Sequence, residues 1–245
     1  METIAQILSR ELEQPLEYVE NVIALIDEGN TIPFIARYRK ERHGSMDDTV
    51  LRTLADRLEY LRGLEKRREE VRAAIEAQGK LTEELSGALT AAATLAEVED
   101  LYRPYRPKRR TRATIARERG LEPLAALLFA QGRDCPAPMA EAAKYVDPDK
   151  GVNTAEEALQ GAGDIIAEDI SDDAGVRKAL RELLLRRGAL VSRAAGEEDT
   201  VYRLYCDFQQ PLSRLQDHQI LAIDRGEREG ALKVKVDCDR EEALV

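Results

Sequence analysis

Residues 103–119 read RPYRPKRRTRATIARER, the densest group of potentially reactive side chains in this 245-residue chain. Eight Lys or Arg face a single acid, Glu118, within a protein whose formal charge is -10. The stretch is therefore a cationic island in an anionic chain. Arg and Lys grip phosphate oxygens through charge-assisted hydrogen bonds, and a stiff row of them makes an edge that contacts a nucleic-acid backbone. Pro104 and Pro107 fix φ and remove two backbone donors, so the first half is expected as an extended, exposed loop. Thr111 or Thr114 is then placed to cap a short helix through Ile115 and Ala116. The side chains assigned to the edge are Arg106, Lys108, Arg109, Arg110 and Arg112. The competing reading is a basic loop paired with the protein's own acidic helices. A smaller cluster, Arg37, Arg39 and Lys40 beside Tyr38, is a candidate extension of the edge. Its plainer reading is a helix end whose cations favour the C-terminal dipole. Tyr102 and Tyr105 could stack on a base, although packing beneath the loop is the commoner use of such residues.

No other constellation points to chemistry. His43 and His218 share no metal-ligand spacing with each other or with Cys135, Cys206 and Cys238, so a solvated or packing role is expected for each. Three cysteines without CxxC spacing suggest neither a disulfide framework nor a zinc site. The GAG of residues 161–163 lies inside a helical pattern with no strand before it, which excludes a dinucleotide fingerprint, and no GxxxxGK[ST] run occurs. Carboxylates are plentiful but scattered over helix faces. The expectation is no catalysis, no metal and no cofactor.

The elements that must hold the basic stretch are helices. Trp is absent and aromatic residues make up 4% of the chain, which favours helices packed by aliphatic side chains. Residues 1–45 place Ile4, Ile7, Leu8 and Leu12, then Leu16, Val19, Ile23 and Ile26, at helical spacing, with Gly29 before a third short piece. This is a helix-turn-helix-like segment, or simply a compact packing unit. Residues 46–132 form a long helical arm that carries the basic loop 103–119. Its first part has Leu51, Leu54, Leu58, Leu61, Leu64, Val71 and Ile75 on one side of a rod of about thirty residues. Ala88 to Ala93 continue the helix that Thr82 opens. Residues 133–188 read as a helical subdomain after the QGRDCPAP break. In residues 189–245 the period changes: ALVSRA, VYRLYCDF, ILAID and ALKVKVD suggest short strands, and the final EEALV leaves the segment looking truncated. The class is mainly α, with a few short strands near the C-terminus. The first residues, METIAQILSRELEQ, have acids where a signal peptide needs an apolar run, and no stretch approaches a membrane span. A cytoplasmic protein without membrane contact is expected.

The runs IPFIARYRKER, LRTLADRLEYLRGLEKRREEV, VEDLYRPYRPKRRTRATIARERGLEPLA and LAIDRGEREGALKV resemble the N-terminal part of the bacterial transcription accessory protein Tex family. The likeness extends over nearly the whole chain, and DLYxPYxPKRRTxA is its most specific part. It implies a nucleic-acid-binding factor linked to transcription, with a helical N-terminal region containing a helix-turn-helix. Full-length members continue into an RNase-H-like domain, helix-hairpin-helix motifs and an RNA-binding barrel, which lie beyond the matched part. Departures from the family pattern are Arg103 in place of an aliphatic residue, Gly163 in place of Arg, and HGSM at residues 43–46. The functional expectation is a helical scaffold with an auxiliary surface for RNA or DNA. The alternative is an interaction scaffold that docks RNA polymerase or another part of the transcription machinery.

Overall fold

The computed structural model describes residues 2–107, 109–132, 137–196 and 201–243. They fall into two compact units, Met1–Tyr105 and Arg106–Val245.

In the first unit, Thr3 and Gln6 cap each other's backbone N–H groups to start α1 (Ile4–Glu11). Pro15 sets the entry to α2 (Leu16–Asp27), and Gly29 at φ +84° turns the chain toward α3 (Ile32–Tyr38). The Asp47 carboxylate accepts from the Val50 N–H at 2.8 Å and opens α4 (Asp48–Glu76), 29 residues long. At 1.5 Å per residue α4 is a rod of roughly 43 Å. All seven apolar positions picked out by its spacing are buried. Leu51, Leu54 and Leu58 pack with Leu8, Val22 and Ile35 in one core, and Leu64, Val71 and Ile75 pack with Leu89 and Val98 in a second. Each such side chain contributes about 1.5–3 kcal/mol by leaving water.

Thr82 caps α5 (Glu83–Ala91), which stops short of the expected Ala93. Thr94 and Glu97 instead start a separate α6 (Leu95–Tyr102) with a reciprocal cap, a local bond that competes with helix continuation. His43 belongs to the packing class, not the solvated one. It is 1% exposed, and neither ring nitrogen has a hydrogen-bond partner among the described residues.

The second unit starts with α7 (Arg112–Glu118), α8 (Glu122–Ala130) and α9 (Pro138–Ala142), which pack on α10 (Ala155–Asp172). Gly161 explains the GAG: a Cβ there would run into the Leu121 side chain and lie 3.3 Å from the Ala116 Cβ. The residue is a contact point between helices, where any side chain would keep them apart. Asp173 caps α11 (Ala174–Arg187), and β1 (Ala189–Ala194) follows. β1 is the centre of a three-stranded antiparallel sheet, between β2 (Asp207–Pro211) and β3 (Leu232–Asp237), with Leu190 opposite both Gln210 and Val236. ILAID, expected as a strand, lies instead in α12 (Asp217–Arg228). Its buried residues, Ile223 and Gly226, are three apart, a helical period that four apolar residues were too few to reveal.

Candidate nucleic-acid interface

The basic stretch is held from both ends by ordinary packing. On the first unit's side, residues Arg103–Tyr105 make one 3-10 turn at the end of α6, not the extended chain that two prolines suggested. Pro is compatible with a helical first turn, and packing selects that option here. Tyr102 and Tyr105 pack against the core of Leu64, Val71 and Ile75. The Arg67 guanidinium sits 5.5 Å from the Tyr102 ring centroid, and Gln78 Nε2 donates to the Tyr105 carbonyl at 3.0 Å. Both tyrosines are thus half-buried supports beneath the segment, which is the packing role weighed above.

On the second unit's side the anchor is Thr111. Its hydroxyl accepts from the Thr114 N–H at 3.0 Å, capping α7, and donates to Glu168 Oε1 of α10 at 2.9 Å. The other Glu168 oxygen accepts from Arg117 at 2.6 Å, and Asp169 accepts from the same guanidinium at 2.7 Å. Arg117 is 30% exposed and Glu168 15%. The Glu168 hydrogen bond, with Asp169 and Glu122 close by, holds the Arg117 guanidinium above its ordinary pKa. Ala113 and Ala116 are buried against α10, so the whole short helix is fixed by one face.

With that face occupied, Arg106, Arg109, Arg110 and Arg112 are exposed to solvent. Arg106 and Arg109 are exposed and have no ion-pair partner among the described residues. Arg110 donates to Glu118 at 2.6 Å, yet its side chain is 68% exposed. Arg112 is 81% exposed and lies 3.7 Å from Asp164, beyond hydrogen-bonding distance. Neither contact is the bidentate clamp that would take a guanidinium out of play. Lys108 lies outside the described residues, as does Cys135.

The second cluster stands in the first unit. Arg37 is in the last turn of α3 and exposed, and Lys40 follows the helix, also exposed. Arg39 is half-buried: its guanidinium lies 5.1 Å from the Phe34 ring centroid and donates to the Tyr38 carbonyl at 3.1 Å. Arg39 is therefore turned toward its own helix, whereas Tyr38 is 56% exposed beside Arg37 and Lys40.

Sequence reasoning grouped Arg117 with the other cations of the stretch and missed its separate task. Its partners lie about fifty residues onward, among carboxylates that read only as scattered over helix faces. The one available signal was the position of Arg117, a turn and a half after the Thr111 cap and on the face of Ala113.

The amino-acid sequence matches two family descriptions, "Tex-like protein N-terminal domain" over residues 2–76 and "Tex central region-like" over residues 134–244. It is 45% identical over 236 residues to "Protein tex" of Bordetella pertussis, covering 95% of this chain and 30% of that protein. It is 41% identical over 235 residues to "Transcriptional accessory protein Tex" of Neisseria gonorrhoeae, covering 94% and 30%. A more distant relative is "S1 RNA-binding domain-containing protein 1" of Pongo abelii, 34% identical over 244 residues, covering 95% and 24%. The chain spans about a third of the length of the bacterial relatives it matches.

Proposed function

Because the chain belongs to the Tex-like family over its N-terminal and central regions, we propose that it is a non-catalytic helical scaffold of a cytoplasmic transcription accessory factor with an auxiliary grip on nucleic acid. The grip consists of Arg106, Arg109, Arg110 and Arg112, joined by Lys108. Arg37 and Lys40 form a second contact on the first unit, with Arg39 in a supporting place. The ligand is the phosphate backbone of RNA or DNA, contacted without reading bases. The observation that carries this reading is the division of labour within one basic stretch: Arg117 is locked to Glu168 and Asp169, while Arg110 and Arg112 are 68% and 81% exposed on the same helix and its approach. A loop whose only purpose was internal pairing would engage all of its guanidiniums as it engages Arg117. The names of the Neisseria and Pongo relatives, a transcriptional accessory protein and an RNA-binding-domain protein, support the same direction.

The test is a salt titration of the chain with labelled RNA and duplex DNA. Five phosphate contacts imply that log K falls against log salt with a slope of about -4.5 on duplex DNA and about -3.5 on single strands. Alanine at Arg106, Lys108, Arg109, Arg110 and Arg112 together should remove most of the affinity and of the slope, leaving only what Arg37 and Lys40 supply. Binding that ignores salt, or survives the five substitutions undiminished, overturns the proposal.

A further inference from the structure

A groove of about 710 Å³ runs along the first unit between α1, α4 and the end of α5, with Ile4, Ile7, Ile23 and Leu61 among its apolar lining residues and Glu2, Glu11 and the exposed Glu65 among its acids. Three arginines at its edge are neutralised within the chain. Arg10 pairs with Glu2 at 3.0 Å, Arg57 makes two bonds to Glu11 at 2.7 and 2.9 Å, and Arg62 makes two to Asp27 at 2.7 and 2.8 Å. Arg68 closes one end of the groove and differs from all three. It is half-buried and donates one bond to the Ala92 carbonyl at 2.8 Å, and its Nε–H is buried with no acceptor among the described residues. One turn on, Arg72 repeats the pattern: a single bond to Thr90 Oγ1 at 2.8 Å and a buried, unmatched Nε–H. Among the described residues neither guanidinium has a carboxylate partner. The Arg68 bond caps the carbonyl at the end of α5 and the Arg72 bond reaches a hydroxyl, so each uses one of the five donors a guanidinium carries and leaves it with no carboxylate at salt-bridge distance among the described residues.

We propose that this groove is a docking site for an acidic amphipathic helix of a protein partner, whose carboxylate completes Arg68. The charge complement absent from the chain has to come from outside it, because a half-buried cation without a partner is costly and a planar guanidinium is matched best by a carboxylate held in two bonds. The groove favours protein over nucleic acid because the apolar part of its lining is aliphatic and no aromatic side chain lines it on which a base could stack. From Leu58 to Arg68 along α4 is about 15 Å, roughly three helical turns. The matching segment therefore presents apolar side chains at i, i+3 or i+4 and i+7, with Asp or Glu about one turn beyond. This inference does not rest on the basic edge of residues 106–112.

The experiment is a selection of displayed 14-residue helical peptides of random sequence against the whole 245-residue chain, followed by affinity measurement of the enriched peptides. They should carry the apolar spacing and a terminal acid. They should bind Arg68→Met at least tenfold more weakly, with Arg68→Lys between the two. Replacing the peptide's acid by Gln should cost wild type a similar factor, which tests the pair with the protein unaltered. Ile7→Asp should abolish binding. Enriched peptides without an acid, or peptides that hold Arg68→Met within twofold of wild type, overturn the proposal. So does single-stranded RNA that binds at Arg68 in place of peptides, which would assign the cation to nucleic acid. Loss of nucleic-acid binding elsewhere in the chain leaves these results unchanged.

Discussion

Arg110 and Arg117 lie seven residues apart in the same basic stretch and do different work, which sets what each substitution will do. Arg110 and Glu118 are both more than half exposed, so their bond is screened by water and contributes about 0–1 kcal/mol. Glu118→Gln should leave the unfolding midpoint nearly unchanged while freeing a cation and removing an anion from the proposed edge. Affinity for RNA should rise about two- to fivefold, the order expected from one near-surface charge. An unchanged affinity would place Arg110 outside the contact. Arg117→Met leaves Glu168 and Asp169 each short of a partner, at a site where the Glu168 side chain is only 15% exposed. A loss of about 1–3 kcal/mol in stability is expected, below the full value for a buried pair because Arg117 retains some access to water. Urea unfolding of the two variants side by side distinguishes a cation that binds from a cation that builds.

At the scale of elements, α10 is the surface on which α7 and α8 are set, and its two glycines make opposite predictions. At Gly161 a Cβ meets Leu121, a fully buried side chain with little room to move, and approaches Ala116. Gly161→Val should cost about 1–3 kcal/mol by overpacking and shift α7 with the arginines it carries. A Cβ at Gly163 meets nothing within 4 Å, in the middle of the same helix. Gly163→Ala should therefore stabilise by up to about 1 kcal/mol through helix propensity. Thermal unfolding gives both signs. If the two substitutions moved the midpoint the same way, the close approach at Gly161 would not be what sets the spacing of α7 on α10.

For the molecule as a whole, the acids that make the chain anionic are partly structural. Glu11 and Asp27 tie α1 and α2 to α4, and hydrogen bonds from Arg57 and Arg62 hold their pKa values below the ordinary 4.5 and 3.8. A carboxyl lowered in the folded state binds its proton more readily when unfolded. Its stabilisation is complete above those ordinary values and fades as pH drops through the lowered folded ones. Wild type should thus lose stability between about pH 5 and pH 3 more steeply than Glu11→Gln/Asp27→Asn, as monitored by circular dichroism across that range. Equal slopes would show that other carboxyls carry the acid sensitivity. Local patterns were enough to reveal the helical class, the seven buried positions of α4, the Thr111 cap and the strands β1 and β3, because periodicity and capping act within a few residues. The same patterns misread ILAID and the proline at 104, where short runs suit two backbone shapes and packing chooses between them, whereas Pro107 is exposed and outside any helix or strand, as expected. Which cations of residues 103–119 face water, and which of the first unit's arginines lack a partner, was decided only by the tertiary structure. Charge is counted along the chain, but its neutralisation depends on carboxylates brought close from thirty-five to fifty-two residues away.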